Sequence, residues 1–383
     1  MLFKEIIGND IVKSQLIEAI NNNRVSHAQL FLGKSGSAKL ALALAYAQFL
    51  NCENRESDDS CGKCSSCLKY KNISHPDLHL VFPILKKGSV KSSTSDTYVR
   101  EWREFVKENV YGSLNAWIDS LGAETKSGQQ GAIYKDEAIS IHNKLSLKNY
   151  EAPYRVVLIW MPEQMNLEVS NKLLKLFEEP PKGTIFLLVS ENIGRLLPTI
   201  TSRLQTIKVP DFTNEDIVNY FGVEMISLEK AKQLRNLADA DLGKIIDIVN
   251  EKEDNLDFFQ DFSSWMRLCY KMDIGEISKW VDNIAGKGRK QQKLFLSYAI
   301  KMARECLIYN FASKSLLKTN ENELAFLTKF SPFIHEENSI LIIEKLEESI
   351  KAVNRNANAK ILFFELSLQM VKFLKLKRKF AIN

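Results

Sequence analysis

The sequence predicts an α/β domain followed by an all-α half, on three observations. Short apolar runs that read as strands alternate with helical patterns up to about residue 208. A strand, a glycine-bearing loop and an alanine-rich helix follow one another across residues 28–50. Beyond Pro210 the strand patterns stop and only helical periodicity continues.

Residues 11–20 repeat apolar side chains at helical spacing, 28–32 form a short apolar strand, and 39–50 form the alanine-rich helix. Val156-Val157-Leu158-Ile159 is a continuous apolar run, as expected of a strand buried on both faces of a parallel sheet. A helix over 166–178 places Val169, Leu173, Leu176 and Phe177 on one side. Pro180-Pro181 stops it, because proline lacks the amide donor and blocks continuation. A third buried strand over 184–189, a helical turn over 196–200 and a strand over 206–209 complete the pattern.

Residues 84–131 interrupt this alternation and read as an insertion. Its start is polar and rich in Ser and Thr; residues 98–121 form one or two amphipathic helices carrying Trp102, Phe105, Trp117 and Ile118; Ser127-Gly128-Gln129-Gln130-Gly131 is the return. These aromatics are expected to pack onto their own domain. Later helices are read over 213–220, 227–238, 242–249, 290–311 and 361–373. The expected domains are 1–209, containing a cysteine module at 52–67 and the insertion at 84–131, then a small helical domain 210–252 and a helical domain 253–383.

A chain of 383 residues is long for one core. Its 45% apolar and 26% charged residues are those of a soluble globular protein. No apolar run reaches the ~18 residues of a membrane span. The first residues lack the basic, apolar and small-residue order of a signal peptide, so a cytoplasmic location and no membrane partner are expected. A net charge of +5 permits contact with nucleic acid without arguing for it.

The loop after the first strand resembles the phosphate-binding pattern G-x-x-x-x-G-K-[ST], with Gly33 and Lys39 at the right spacing and Gly36 between them. Ala38 replaces the second glycine, and Leu40 replaces the hydroxyl that holds Mg²⁺. Such a loop cradles an anion at best and catalyses poorly, which leaves ATP or ADP binding in doubt. The second catalytic position is altered as well. A nucleotide-hydrolysing strand of this type ends in Asp-Glu, whereas this one ends in Trp160-Met161, and Glu163 lies too late to replace either acid.

Cys52, Cys61, Cys64 and Cys67 follow the spacing C-x8-C-x2-C-x2-C, which suits a closed tetrahedral Cys₄ zinc site of structural type. Disulfides, disfavoured in a reducing compartment, and an iron–sulfur cluster are the alternatives. Cys269 and Cys306 sit in apolar helical sequence and read as core residues. Arg203 lies between a helical turn and the last strand, where a surface charge is the plain reading. The basic run Lys372, Lys375, Lys377, Arg378 and Lys379 reads as a solvated end.

Taken together, these segments resemble the delta-prime family of bacterial DNA polymerase III clamp-loader subunits, within the AAA+ superfamily. The resemblance runs through Ile7-Gly8-Asn9, residues 27–33, the four cysteines, His75-Pro76-Asp77, residues 171–181 including Glu178-Glu179-Pro180-Pro181, and residues 196–203. It implies an AAA+ α/β domain with a zinc module, a helical lid, and a helical collar that joins a heteropentameric ring with gamma or tau and delta subunits. Through that ring the family acts on a sliding clamp and primer–template DNA. The family's Ser-Arg-Cys motif falls on Ser202-Arg203-Leu204, which would make Arg203 a finger that reaches a neighbouring subunit's nucleotide in trans. Where active members carry an arginine in the lid, this chain has Gly243. The resemblance therefore implies a non-hydrolysing scaffold subunit. One rival is a catalytic gamma- or tau-like ATPase. Another is a zinc-dependent nucleic-acid-binding protein in which Lys63, Lys69 and Lys71 contact phosphate beside Tyr70.

Overall fold

A computed structural model describes residues 1–85, 94–121, 131–250, 258–312, 317, 319 and 321–376. Five strands, β1 (Ala28–Leu32), β2 (Leu78–Val81), β3 (Arg155–Trp160), β4 (Thr184–Ser190) and β5 (Gln205–Lys208), form one parallel sheet in the order β2-β3-β4-β1-β5. Every residue of β3 and β4 is buried, as their unbroken apolar sequences require. Leu30 sits opposite Leu188 on one side and Thr206 on the other, so β1 also lies inside the sheet. At the edge, β5 is largely exposed and polar.

Helices cover both faces. After α1 (Asp10–Asn21), α2 (Lys39–Leu50) is buried at every position, which explains why its sequence is apolar all round. On α2, Tyr46 receives a 2.9 Å hydrogen bond from Gln29 of β1 and its ring lies 6.2 Å from that of Phe31. The opposite face carries α6 (Lys135–Ser146) and α7 (Leu167–Glu178). There Ile141, Leu145, Val169, Leu173 and Phe177 close one core with Leu30, Val157, Ile159, Phe186 and Leu188. Asn166 caps α7 by accepting the Val169 N–H at 2.9 Å.

The predicted strands and helices of residues 1–209 are present, with ends displaced by a residue or so. Three elements go beyond the sequence reading: α3 (Ser65–Lys71), β2 and α6. In the insertion, α4 (Val99–Glu108) and α5 (Leu114–Ser120) follow a 3-10 turn at Ser95–Tyr98. Trp102, Phe105 and Trp117 are buried against their own domain, and Ile118 is half-buried. Residues 86–93 of the polar start and residues 122–130, which include all of the return but Gly131, lie outside the described residues. After α8 (Pro198–Thr201) and β5 come α9 (Asn214–Phe221), α10 (Leu228–Leu237) and α11 (Leu242–Asn250).

His75-Pro76-Asp77 is an organising turn. The buried Asp77 carboxylate accepts the backbone N–H groups of Tyr150, Glu151 and Ala152 at 2.7, 2.9 and 2.9 Å. Burial alone would raise this carboxyl, but the three donors outweigh it and hold it below its ordinary value. The loop entering β3 is thereby tied to the loop entering β2.

The chain divides into two units, Met1–Asn250 and Glu251–Asn383. The second contains α12 (Phe258–Lys271), α13 (Ile274–Gly286), α14 (Arg289–Phe311), α15 (Glu321–Phe330), α16 (Glu336–Asn354) and α17 (Ala359–Leu374). Its centre is aromatic: Trp265 stacks on Trp280 at 5.1 Å and donates its indole N–H to Ser367 Oγ at 2.8 Å. Cys269 and Cys306 are buried free thiols whose pKa values burial pushes up to about 12, in keeping with core roles. Of the basic end, Lys377, Arg378 and Lys379 lie outside the described residues. Among the described residues no helix is long and apolar enough to cross a membrane.

Candidate functional site

The loop between β1 and α2 needs both of its glycines. A Cβ on Gly33 would lie 2.5 Å from Ser37 Oγ and 2.9 Å from the Val209 carbonyl. Gly36 has φ +73°, and a Cβ there would lie 2.6 Å from the Cα of Asp241. Lys39 starts α2 and is 4% exposed. In a working loop this lysine reaches the nucleotide's phosphates. Here it donates to the Lys34 carbonyl at 2.7 Å and to Glu191 Oε1 at 3.2 Å. A buried ammonium needs such partners, since leaving it unpaired costs several kcal/mol.

One carboxylate thus pairs with the loop lysine and a second packs against the loop's Gly36. Glu191 follows the end of β4. Asp241 caps α11 by accepting the Lys244 N–H at 3.1 Å, and it is 3% exposed against Gly36. Glu163 occupies a 3-10 turn after β3 and accepts the Glu191 N–H at 2.8 Å. Burial raises its carboxyl above the ordinary value. Its place in that turn matches the sequence reading, which put it beyond the catalytic position.

Leu40, 2% exposed, belongs to the buried helix α2. At the end of β3, Trp160 is 1% exposed, its ring 6.3 Å from both Trp102 and Phe105. Met161 follows in a left-handed conformation, φ 55°. The position of the first expected acid therefore serves packing, and neither residue offers a metal ligand or a proton acceptor.

Arg203 lies just after α8. Its Nε donates to Glu178 Oε1 at 2.7 Å, its Nη2 contacts the same oxygen, and its Nη1 donates to the Thr199 carbonyl at 2.6 Å. Glu178 ends α7, so the Glu-Glu-Pro-Pro segment and the Ser-Arg pair meet at the surface. Leu204, where a cysteine was expected, is buried in the core beneath α7 and α8.

The four cysteines converge. Their Sγ atoms all lie within 4.8 Å of one another, with Cys52 to Cys61 at 3.6 Å and Cys61 to Cys67 at 4.0 Å. Four thiolates at ~2.3 Å from a tetrahedral zinc stand about 3.8 Å apart, whereas a disulfide needs about 2.05 Å. The set therefore fits zinc, and all four thiols are free. Gly62, at φ +70°, makes the turn between Cys61 and Cys64. Backbone N–H groups of Cys61, Cys64 and Cys67 point at Cys52, Cys61 and Cys64 sulfurs at 3.3–3.4 Å, the outer hydrogen bonds that orient metal-binding side chains. Neighbouring Tyr70 is 3% exposed and accepts a 2.7 Å hydrogen bond from Asn51, while Lys69 is paired with Glu151 at 2.5 Å. Tyr70 offers no face for a base.

Sequence reasoning missed Glu191 and Asp241. A charged residue just past the carboxyl end of a buried strand was the available signal for Glu191. Asp241 comes to the loop only through the fold.

A family model described as DNA polymerase III, delta subunit, matches residues 8–213. The DNA polymerase III subunit delta' of Bacillus subtilis is 28% identical over 226 residues, 59% of this chain and 55% of that protein. The tau subunit of the same organism is 25% identical over 61% of this chain and 32% of its own length. The delta' subunit of Pseudomonas aeruginosa is 29% identical over 46% of this chain and 41% of its own. The chain thus spans from just under a third to just over half of the length of these relatives. A gamma subunit-related protein of Thermotoga maritima overlays with a TM-score of 0.41 at 13% identity, covering 95% of this chain and 99% of that one.

Proposed function

Because this chain belongs to the DNA polymerase III delta-subunit family, we propose that it is a delta-prime-type, non-hydrolysing scaffold subunit of the clamp loader. Its expected companions are gamma or tau and delta subunits in a ring that places a sliding clamp on primed DNA. The observation that carries the reading is the Lys39–Glu191 pair at 3.2 Å, because the lysine that would hold phosphate is already neutralised inside the chain. Leu40 and Trp160 support it, since the metal hydroxyl and the first acid are replaced by buried apolar side chains. We assign residues 1–209 to an AAA+ domain, 210–252 to a lid and 253–383 to a collar. Structural zinc is assigned to the four cysteines, where it would order a polar loop with on the order of 10 kcal/mol of binding free energy.

Arg203 supplies the outward chemistry in this reading. Its guanidinium would leave Glu178 for the transferring phosphate of a neighbouring subunit, and the exchange is easy. An exposed ion pair contributes at most ~1 kcal/mol, while a finger supplied in trans is worth ~10³–10⁵ in rate. Arg203→Ala is expected to lower the ATPase of a complex reconstituted with candidate gamma or tau and delta partners, with assembly intact. Unchanged turnover removes the finger assignment. The tau match keeps a catalytic reading in play, and ATPase of the isolated chain separates the two.

A further inference from the structure

The insertion meets the α/β domain at one end and the helices after β5 at the other. At the first end, Phe82 stacks on Trp102 at 4.9 Å with rings 5° apart, and Trp160 at the carboxyl end of β3 lies 6.3 Å from Trp102. At the second end, the buried Tyr111 ring lies edge-on to Phe212 at 5.5 Å. Its backbone enters the space over α11, where a Cβ on Gly243 would sit 2.8 Å from the Tyr111 carbonyl oxygen. The turn between is close-packed too: a Cβ on Gly112 would lie 2.7 Å from Phe105.

We propose that residues 95–121 form a strut that fixes α9–α11 against the carboxyl end of the sheet. In a nucleotide-hydrolysing protein of this plan, the nucleotide lies between these same two parts. Here a covalent segment of the chain spans them, so their relative placement needs no ligand. Three features otherwise unrelated acquire one cause. Trp160 anchors one end of the strut, Gly243 leaves room for the other, and the insertion exists to connect them. The strut rests on packing alone and is independent of whether Arg203 acts as a finger.

The test is hydrogen–deuterium exchange of the full chain, wild type against Tyr111→Ala and Gly243→Ala. Tyr111→Ala removes the ring that holds Phe212. Gly243→Ala deletes nothing and places a methyl against the Tyr111 carbonyl. Both are expected to speed exchange in α9 and α4 about tenfold or more, while β3 and β4 keep their protection. The second variant separates the strut from a local effect by sign. Alanine is the better helix former, so a change felt only within α11 slows exchange there. Unchanged exchange in α9 in both variants, or slower exchange throughout α9–α11 in Gly243→Ala, overturns the strut. If Tyr111→Ala also exposes β3 and β4, Gly243→Ala decides alone, since it removes no buried side chain.

Discussion

Glu137 on α6 gives a prediction whose magnitude follows from its surroundings. It is 1% exposed, and its Oε2 faces the Ser95 N–H at 2.6 Å and the Ser95 hydroxyl at 3.0 Å. Burial outweighs these hydrogen bonds and raises its pKa to about 7, from 4.5. Because the fold raises the pKa of an acid, the fold favours the protonated form. The associated stability is complete below the unfolded value and falls as pH rises through the folded one. Between pH 5 and 8 about two units of difference are traversed, at ~1.4 kcal/mol per unit, so the loss is ~3 kcal/mol. Glu137→Gln keeps an acceptor for the Ser95 N–H and cannot ionise. Urea unfolding followed by tryptophan fluorescence at pH 5, 6, 7 and 8 should show the variant gaining ~3 kcal/mol on wild type across the series. A difference that stays constant with pH refutes the reasoning.

The isolated chain is expected to hydrolyse no ATP; turnover that vanishes in Lys39→Ala would reverse the central reading. The purified protein should carry one zinc per chain by elemental analysis, and a Cys61→Ser, Cys64→Ser double variant should lose both the metal and several degrees of Tm. Full stability without bound metal contradicts that assignment. Asp77→Ala strands the buried N–H of Ala152 and the partly buried N–H groups of Tyr150 and Glu151 and should cost ~3 kcal/mol, because one buried unpaired donor costs ~1–3 kcal/mol and the other two add less. A urea midpoint at pH 7 equal to that of wild type counts against the tie.

Much of the sheet was legible because buried parallel strands need unbroken apolar runs, and β3 and β4 have them. The strand β2 was not: Leu78-His79-Leu80-Val81 is four residues long, and its one histidine breaks the apolar run. The convergence of the cysteines was readable from spacing alone, since all four fall within one short stretch. Glu191 left a signal, a charge just past a buried strand, that went unread, whereas Asp241 left none, because it lies 205 residues from Gly36 in the chain and only the fold brings the two together. The insertion's aromatic stripe announced a packed face. Its second contact, made by a backbone carbonyl over a glycine, leaves no pattern in a sequence.

The Trp160 cluster also sets the direction in which this chain can change. An aspartate at 160 would empty a volume filled by an indole, and large aromatic deletions in a core cost ~3–5 kcal/mol. A threonine at 40 would bury a hydroxyl inside α2 at a further ~1–3 kcal/mol if it found no partner. Each step toward a hydrolytic site thus loses stability before any activity is gained, and no single step gains it. On the proposed non-hydrolysing reading, packing acts as a ratchet, so descendants of this chain can vary at their surfaces far more readily than they can acquire acids and hydroxyls at this site.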